Sequence, residues 1–385
     1  MTNMFIKSRA IPKYMITLLI GVIVGIILCG DKISEMCRLN SSTQEQKMTN
    51  PAYIATHHTS SMNKFPKVDS TQHYTFEHWE WFPVEAKPPS SFHSEFLINP
   101  VNLCQSPSQL DYIFLVHTAV NHSSHRQAVR DTFGQRHLYN MTSRAVFVVG
   151  TTPNLTVSGE LRAEADIHGD IVQGDFVDSY HNLTLKGVAG LRWLAEHCTN
   201  TRYVLKIDDD VIVHLHQVVL RIFPILDSAL KTRSHTLVCP VALKGGIFRR
   251  SQGIKWVVAD NEFPGLIKYP FYHCHGFVAM FTVDLAVAML EAAKVVPFFW
   301  IDDVYLFGLL PFTIGDVQFV DMPYHVFGSY ESAKPCYVTF GQNCPYTVVF
   351  DSYSYFNKTN VLQFWKMMNK NVWLADPEIT FLKPK

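Results

Sequence analysis

The chain has 385 residues, nearly half of them hydrophobic, and its 33 basic and 33 acidic side chains cancel. That length can bury a sizeable core in one large domain or two smaller ones, and the charge balance excludes a broad basic surface for nucleic acid. No block of like charge marks a disordered interaction tail, so any anionic ligand must be held by local groups.

Tyr14–Gly30 is an uncharged, mostly apolar run, at the short end of the about 17–25 residues that cross a bilayer. Lys7, Arg9 and Lys13 precede it, and positive charge stays on the cytoplasmic side. The pairs Leu28 and Gly30, or Ile27 and Cys29, suit a cleavage site poorly, which favours an uncleaved signal anchor over a removed leader. The expectation is a cytoplasmic tail over 1–13, a membrane helix over 14–30 and a body on the lumenal or outer side. Sequons at Asn40, Asn121, Asn140, Asn154, Asn182 and Asn357 agree with that side. So do Cys104, Cys198, Cys239, Cys274, Cys336 and Cys344, an even set suited to disulfides in an oxidising compartment. Their connectivity is open, although the short separation of Cys336 and Cys344 points to a local loop closure.

Residues 31–102 carry no long periodic apolar segment and read as a stem. Within it, Phe76–Phe82 is too aromatic for a free linker and is expected to dock on the domain that follows, over 103–385. There Tyr112–Val116 reads as a buried strand, Arg126–Phe133 as a helix capped by Ser123 or Ser124, and Ala145–Val149 as a strand closed by Gly150. Ser158–Ile167 reads as a helix, Ile171-Val172 as a short strand, and Ser179–Cys198 as a helix with Leu185, Val188, Leu191 and Leu194 at helical spacing. The strand Tyr203–Ile207 then runs straight into Asp208-Asp209-Asp210. His214–Leu230 reads as a helix broken near Pro224, and Thr236–Cys239 as a strand. The aromatic, Pro- and Gly-rich stretch 255–281 suits substrate loops more than regular core. An apolar helix, Asp284–Lys294, leads towards Asp302-Asp303. Strands alternating with helices predict an α/β fold with a mostly parallel central sheet. In such sheets ligands bind beyond the carboxyl ends of the strands, where the Asp triplet falls.

Three adjacent carboxylates repel one another unless a cation compensates, and their hard oxygens suit Mg²⁺ or Mn²⁺. The bland alternative is a solvated turn. Asp302-Asp303 lies in apolar surroundings that raise a carboxyl pKa and favour a general base, or it caps the next helix. Arg126 and Arg130, four apart, share a helix face that could meet a diphosphate, an acidic partner or only solvent. His273-Cys274-His275 and His214-Leu215-His216 lack the separated pairs of a structural zinc site, and Cys274 is expected in a disulfide. No phosphate loop, nucleophile elbow or H-E-x-x-H helix is present.

Arg126-x-Ala128-Val129-Arg130-x-Thr132-Phe133 and Phe147–Gly150 resemble the opening blocks of the β-1,3-glycosyltransferase family of galactosyl- and N-acetylglucosaminyltransferases, and more distantly Fringe. Gly169–Lys186, Tyr203–Val211, Lys255-Trp256 with Tyr269-Pro270-x-Tyr272, and Asp302–Tyr305 are similar to its further blocks, in family order. The resemblance implies a GT-A nucleotide-sugar-binding fold behind a membrane anchor and stem, with single-pass type II topology in the Golgi membrane. It further implies a UDP-galactose or UDP-N-acetylglucosamine donor, a glycan acceptor on glycoprotein or glycolipid, Mn²⁺ (or Mg²⁺) dependence and an inverting hexosyl transfer. By this resemblance Asp208 and Asp210 are metal ligands and Asp303 is the base. Arg126, Arg130, Asp178, Lys186, Asp208 and Asp209 lie on the donor side, Trp256 and Tyr272 on the acceptor side. Homo-oligomerisation is left open. Departures from the pattern are Phe133 for Trp, Asp302 for Glu, a missing glycine near Gly276, and Gly308 one residue late after Asp303. They motivate a second reading, a non-catalytic family member that binds glycans or escorts an enzyme.

Overall fold

The computed structural model describes residues 73–89, 95–242, 244–249, 255–322, 327–350 and 358–369. The expected tail, membrane anchor and first part of the stem, with Cys29, Cys37, Asn40 and Asn357, lie outside the described residues. Among those described, no helix is long and apolar enough to cross a membrane.

In chain order the elements are β1 (Leu110–His117), α1 (Ser123–Asp131), β2 (His137–Leu138), β3 (Met141–Thr151), α2 (Leu155–His168), β4 (Ile171–Val177), α3 (Leu183–His197) and β5 (Thr201–Asp208). Then come β6 (Val211–Val213), α4 (Leu215–Arg221), α5 (Phe223–Thr232), β7 (His235–Cys239), β8 (Val241–Ala242), β9 (His273–Cys274), β10 (Val278–Thr282) and α6 (Val283–Ala293). A helical run follows, in which Asp302–Val304 passes into a π-helical turn, Tyr305–Leu309, and resumes as Leu310–Ile314. The last elements are β11 (Val317–Asp321), β12 (Phe327–Ser329), α7 (Tyr330–Phe340), β13 (Val348–Phe350) and α8 (Lys358–Met368).

The main sheet runs β11-β7-β10-β5-β1-β3-β2, with β4 also on β3. β1 pairs in parallel with β3 and β5, β3 with β4, and β11 with β7. β10 runs antiparallel between β5 and β7. The sheet is therefore mixed, and the expectation of loops throughout 255–281 needs correction. Every residue of β10 is buried, and so short an apolar run inside an aromatic-rich stretch shows no alternation to betray a strand. Strand residues alternate between two cores. Ile113, Leu115, Val204 and Phe281 face α3 and α6, whereas Phe114, Val116, Leu205 and Met280 face α1, α2, α4 and α5. The result is a three-layer α/β/α stack.

Helix starts follow local chemistry. Asn154 caps α2, its side-chain oxygen accepting from Thr156 N and Val157 N at 3.1 and 3.2 Å. Neither Ser123 nor Ser124 caps α1; both lie inside it, and His122 occupies the cap position. The break near Pro224 is real, with Pro in the first turn of α5, where its missing N–H costs nothing. Disulfides join Cys104 to Cys198, Cys239 to Cys274 and Cys336 to Cys344, so Cys274 is bridged as expected and the local loop closes.

The aromatic stem segment packs on the body, as expected from its composition. Phe76 and Phe82 are buried, and the Trp81 ring stacks on His78 at 4.1 Å and on Phe263 at 5.7 Å. Phe263 N donates to the Trp81 carbonyl, and Phe298 N to that of Lys87. Because Phe82 also packs against Phe299, the segment clamps the loop ahead of Asp302. Phe82→Ala should lower the unfolding free energy by about 3 kcal/mol in denaturant melts.

Candidate active site at the strand ends

The Asp triplet lies at the carboxyl end of β5, beside the end of β1, where His117 is paired with Asp208. Its three side chains have different surroundings. Asp209 is buried, and its Oδ2 accepts from Thr118 Oγ1 at 2.6 Å and from His122 Nδ1 at 2.8 Å. Burial opposes ionisation there, but these hydrogen bonds outweigh it and hold the carboxyl below its ordinary range. Asp208 is 38% exposed and accepts from Lys206 Nζ at 2.7 Å through Oδ1. Asp210 is exposed. The middle carboxylate thus braces the turn, and the outer two keep solvent-facing surface.

Lys206 carries no prediction from the sequence, yet it lies at the centre. Its ammonium is buried and bonds both Asp208 and the Gly276 carbonyl. A lysine inside an otherwise apolar strand just before three aspartates was the available signal. Its field reaches Asp302 and Asp303, which stand where the helical run begins. Burial pushes Asp302 up to about 7 and Asp303 up to about 6; Lys206 opposes the rise and Asp208 adds to it. Asp303 Oδ1 accepts from Val304 N at 2.8 Å. A Cβ on Gly276 would sit 3.1 Å from that of Asp303, so the absence of a side chain lets the β9–β10 connection approach this closely. The two acidic groups, nearly a hundred residues apart, therefore share one electrostatic neighbourhood.

Asp178 and Lys186 form the adjoining floor. Lys186 Nζ donates to Asp178 Oδ1 at 2.9 Å and to the Thr118 carbonyl at 2.6 Å, while Asp178 Oδ2 accepts from Gly150 N at 2.9 Å. These bonds tie the ends of β1, β3 and β4 together. His117, also buried here, is held well below its ordinary pKa by burial and by Lys206 and Lys186, hence neutral. Arg126 is buried, and Arg130 is half-buried at the edge of a surface groove that Gln127, Glu160 and Glu164 also line. Arg126 is 1% exposed, bonds Glu164 through Nε and Nη2 at 2.8 and 2.6 Å, and reaches the Ala119 and Val120 carbonyls. Arg130 bonds Asp170 through two nitrogens at 2.8 Å each and shares Glu164. This ion-pair cluster fixes α1 against α2 and shapes the β1–α1 loop.

On the opposite wall Trp256, 47% exposed, donates from Nε1 to Tyr180 Oη at 2.7 Å. Burial raises the Tyr180 phenol, the Trp256 bond offsets part of this, and the charges of Asp302, Asp303 and Asp208 add to the rise. Trp256 and Tyr180 thus border the acidic recess, with Lys255 5.5 Å from the Tyr180 ring and Trp300 at 6.4 Å. Tyr272, 45% exposed, has its ring 6.3 Å from that of Phe319 in β11. Of the sequons, Asn121 and Asn140 are exposed in loops and Asn154 caps α2 from an exposed position. Asn182 is half-buried, its amide donating to the Val177 carbonyl at 2.8 Å, and the Thr184 hydroxyl of the same sequon is buried on Phe299 O.

Sequence comparison assigns this chain, with its α/β stack and its acidic groups at the strand ends, to a sugar-transferring class. Residues 124–323, more than half of the chain, match the galactosyltransferase family model, and the chain belongs to that family. It is 30% identical over 236 residues to mouse β-1,3-galactosyltransferase 1, covering 61% of this chain and 68% of that protein. Mouse acetylgalactosaminyl-O-glycosyl-glycoprotein β-1,3-N-acetylglucosaminyltransferase is 34% identical over 212 residues, 53% of this chain and 52% of the relative. A galactosyltransferase solved with donor and acceptor sugar analogues aligns with a TM-score of 0.32 at 12% identity, over 68% of this chain and 99% of that one. The protein is a hexosyltransferase.

Proposed function

We propose that the chain moves galactose or N-acetylglucosamine from a UDP-sugar to a glycan in β-1,3 linkage, with inversion, on a GT-A fold. The observation that carries this reading is the nearness of two acidic groups: Lys206 bonds Asp208, the neighbour but one of Asp210, and also the carbonyl of Gly276, against which Asp303 packs. The outer carboxylates of the triplet fit a hard divalent cation, Mn²⁺ or Mg²⁺, because they offer only oxygen donors and retain exposed surface. When bound, such a cation supplies charge neutralisation for the leaving diphosphate.

Asp303 acts on the acceptor. Its carboxylate takes the proton of the attacking hydroxyl as that oxygen bonds the anomeric carbon and the bond from that carbon to UDP breaks on the opposite face. Trp256 and Tyr180 offer flat surfaces for the apolar face of a sugar ring. Arg126, Arg130, Asp178 and Lys186 serve the donor side by setting the floor and the β1–α1 loop, since their polar atoms are engaged within the protein. The family and the charge pattern of the N-terminus support a lumenal body held in the Golgi membrane by a single type II anchor.

The experiment is to incubate the purified chain with Mn²⁺, UDP-galactose or UDP-N-acetylglucosamine, and a glycan panel. UDP release should appear only with a matching acceptor and disappear with a chelator. Glycan binding without turnover across the panel would overturn the proposal in favour of a non-catalytic lectin or escort.

A further inference from the structure

The structure assigns a second metal site, for a transition-metal cation such as Zn²⁺, to His122, His125 and Asp209. His122 stands at the cap of α1 and His125 one turn on, so both rings leave the helix on one side. They stack with centroids 4.4 Å apart and planes 22° from parallel. One donor atom from each histidine and one carboxylate oxygen of Asp209 lie within 4.8 Å of one another, close enough for small side-chain rotations to enclose an ion.

The supporting contacts have the form that metal sites need. Thr118 Oγ1 bonds the Asp209 carboxylate at 2.6 Å from behind and fixes its direction. His122 already meets Asp209 Oδ2 at 2.8 Å, a contact in which an ion would replace the Nδ1 proton. Both imidazoles are partly exposed, which leaves an entry path and room for water as remaining ligands. Arg126 and Lys186 are the nearby cations that would oppose an incoming charge, and each is paired, with Glu164 and Asp178.

The donor set separates this site from the carboxylates of Asp208 and Asp210. Two imidazoles and one carboxylate rank Zn²⁺, Cu²⁺ and Ni²⁺ above Mn²⁺, whereas an all-oxygen set suits Mn²⁺ and Mg²⁺. Occupancy would crosslink the start of α1 to the turn after β5. The site is independent of which sugar is moved, and of whether any is.

The test uses the full chain, stripped of metal, with Zn²⁺ titrated against a chromogenic chelator. Other histidines also bind Zn²⁺, so the readout is the difference between the parent and His125→Ala, with thermal melting recorded alongside. The parent should take up one more Zn²⁺ than His125→Ala, or bind it about tenfold or more tightly, and only the parent should gain melting temperature. Asp210→Asn should keep the site, and excess Mn²⁺ should not displace the ion. Equal Zn²⁺ uptake by parent and His125→Ala, loss of the site in Asp210→Asn, or displacement by Mn²⁺ would each overturn the assignment. Should His125→Ala fail to fold, His125→Asn answers the same question with a smaller change.

Discussion

Asp303→Asn should lower kcat by about 10²- to 10⁴-fold while leaving donor affinity unchanged. The amide keeps the size of the side chain and can still accept from Val304 N, so a large loss would report the missing proton acceptor rather than a collapsed loop. A pH profile adds a second readout. Burial places the Asp303 carboxyl at about 6, and a base works only when ionised, so turnover should rise with pH through about 6 and level off above it. Asp302, at about 7, broadens that limb because the two carboxyls are coupled. Lys206→Met should move the limb to higher pH, since the buried ammonium opposes the rise of both. Unchanged kcat in Asp303→Asn would remove the base assignment. The same two carboxyls affect stability. Their folded pKa values exceed those of the unfolded chain, so the contribution they make is full at acid pH and is lost as pH rises through about 6 to 7.

Asp210→Ala should abolish the dependence of turnover on added Mn²⁺ and lower kcat/KM by about 10³-fold, as expected when several kcal/mol of charge stabilisation is removed from the leaving group. Asp210 is exposed, so the fold should survive and the melting curve without metal should match the parent. Asp209→Ala should behave differently. It removes the partner of Thr118 and His122 at a buried position, so loss of melting temperature should accompany loss of activity. If Asp210→Ala retained full metal-stimulated turnover, the cation would have to be held elsewhere.

The sequence reveals what depends on short-range pattern. Apolar runs mark β1, β3 and β5, the triplet marks a strand end, Pro224 marks a helix break, and the aromatic stem segment announces its docking. What depends on partners distant in the chain stays hidden. Arg126 and Arg130 look like a free cationic face until Glu164 and Asp170, far along the sequence, are folded against them. Asp209 looks like one more solvent-facing carboxylate of the triplet until Thr118 and His122 bind it at a buried position. Lys206 looks like a routine strand residue until Gly276 and the acidic groups surround it. β10 is hidden by its brevity, and Asn154 reads as a glycan acceptor while its side chain is also the cap of α2.

The π-helical turn Tyr305–Leu309 contains Gly308 and widens the helical run just after Asp303. Such a turn holds one residue more than an α-turn, so a surplus residue can be absorbed where the helix widens. Gly308 still reaches its packing position, where any side chain would come within 2.8 Å of Phe271 and 2.9 Å of His273. The run then resumes at Leu310 with its apolar side still buried. The widened turn works as a slip joint: the chain can gain length there without re-aiming the carboxylate upstream or dislodging the wall downstream.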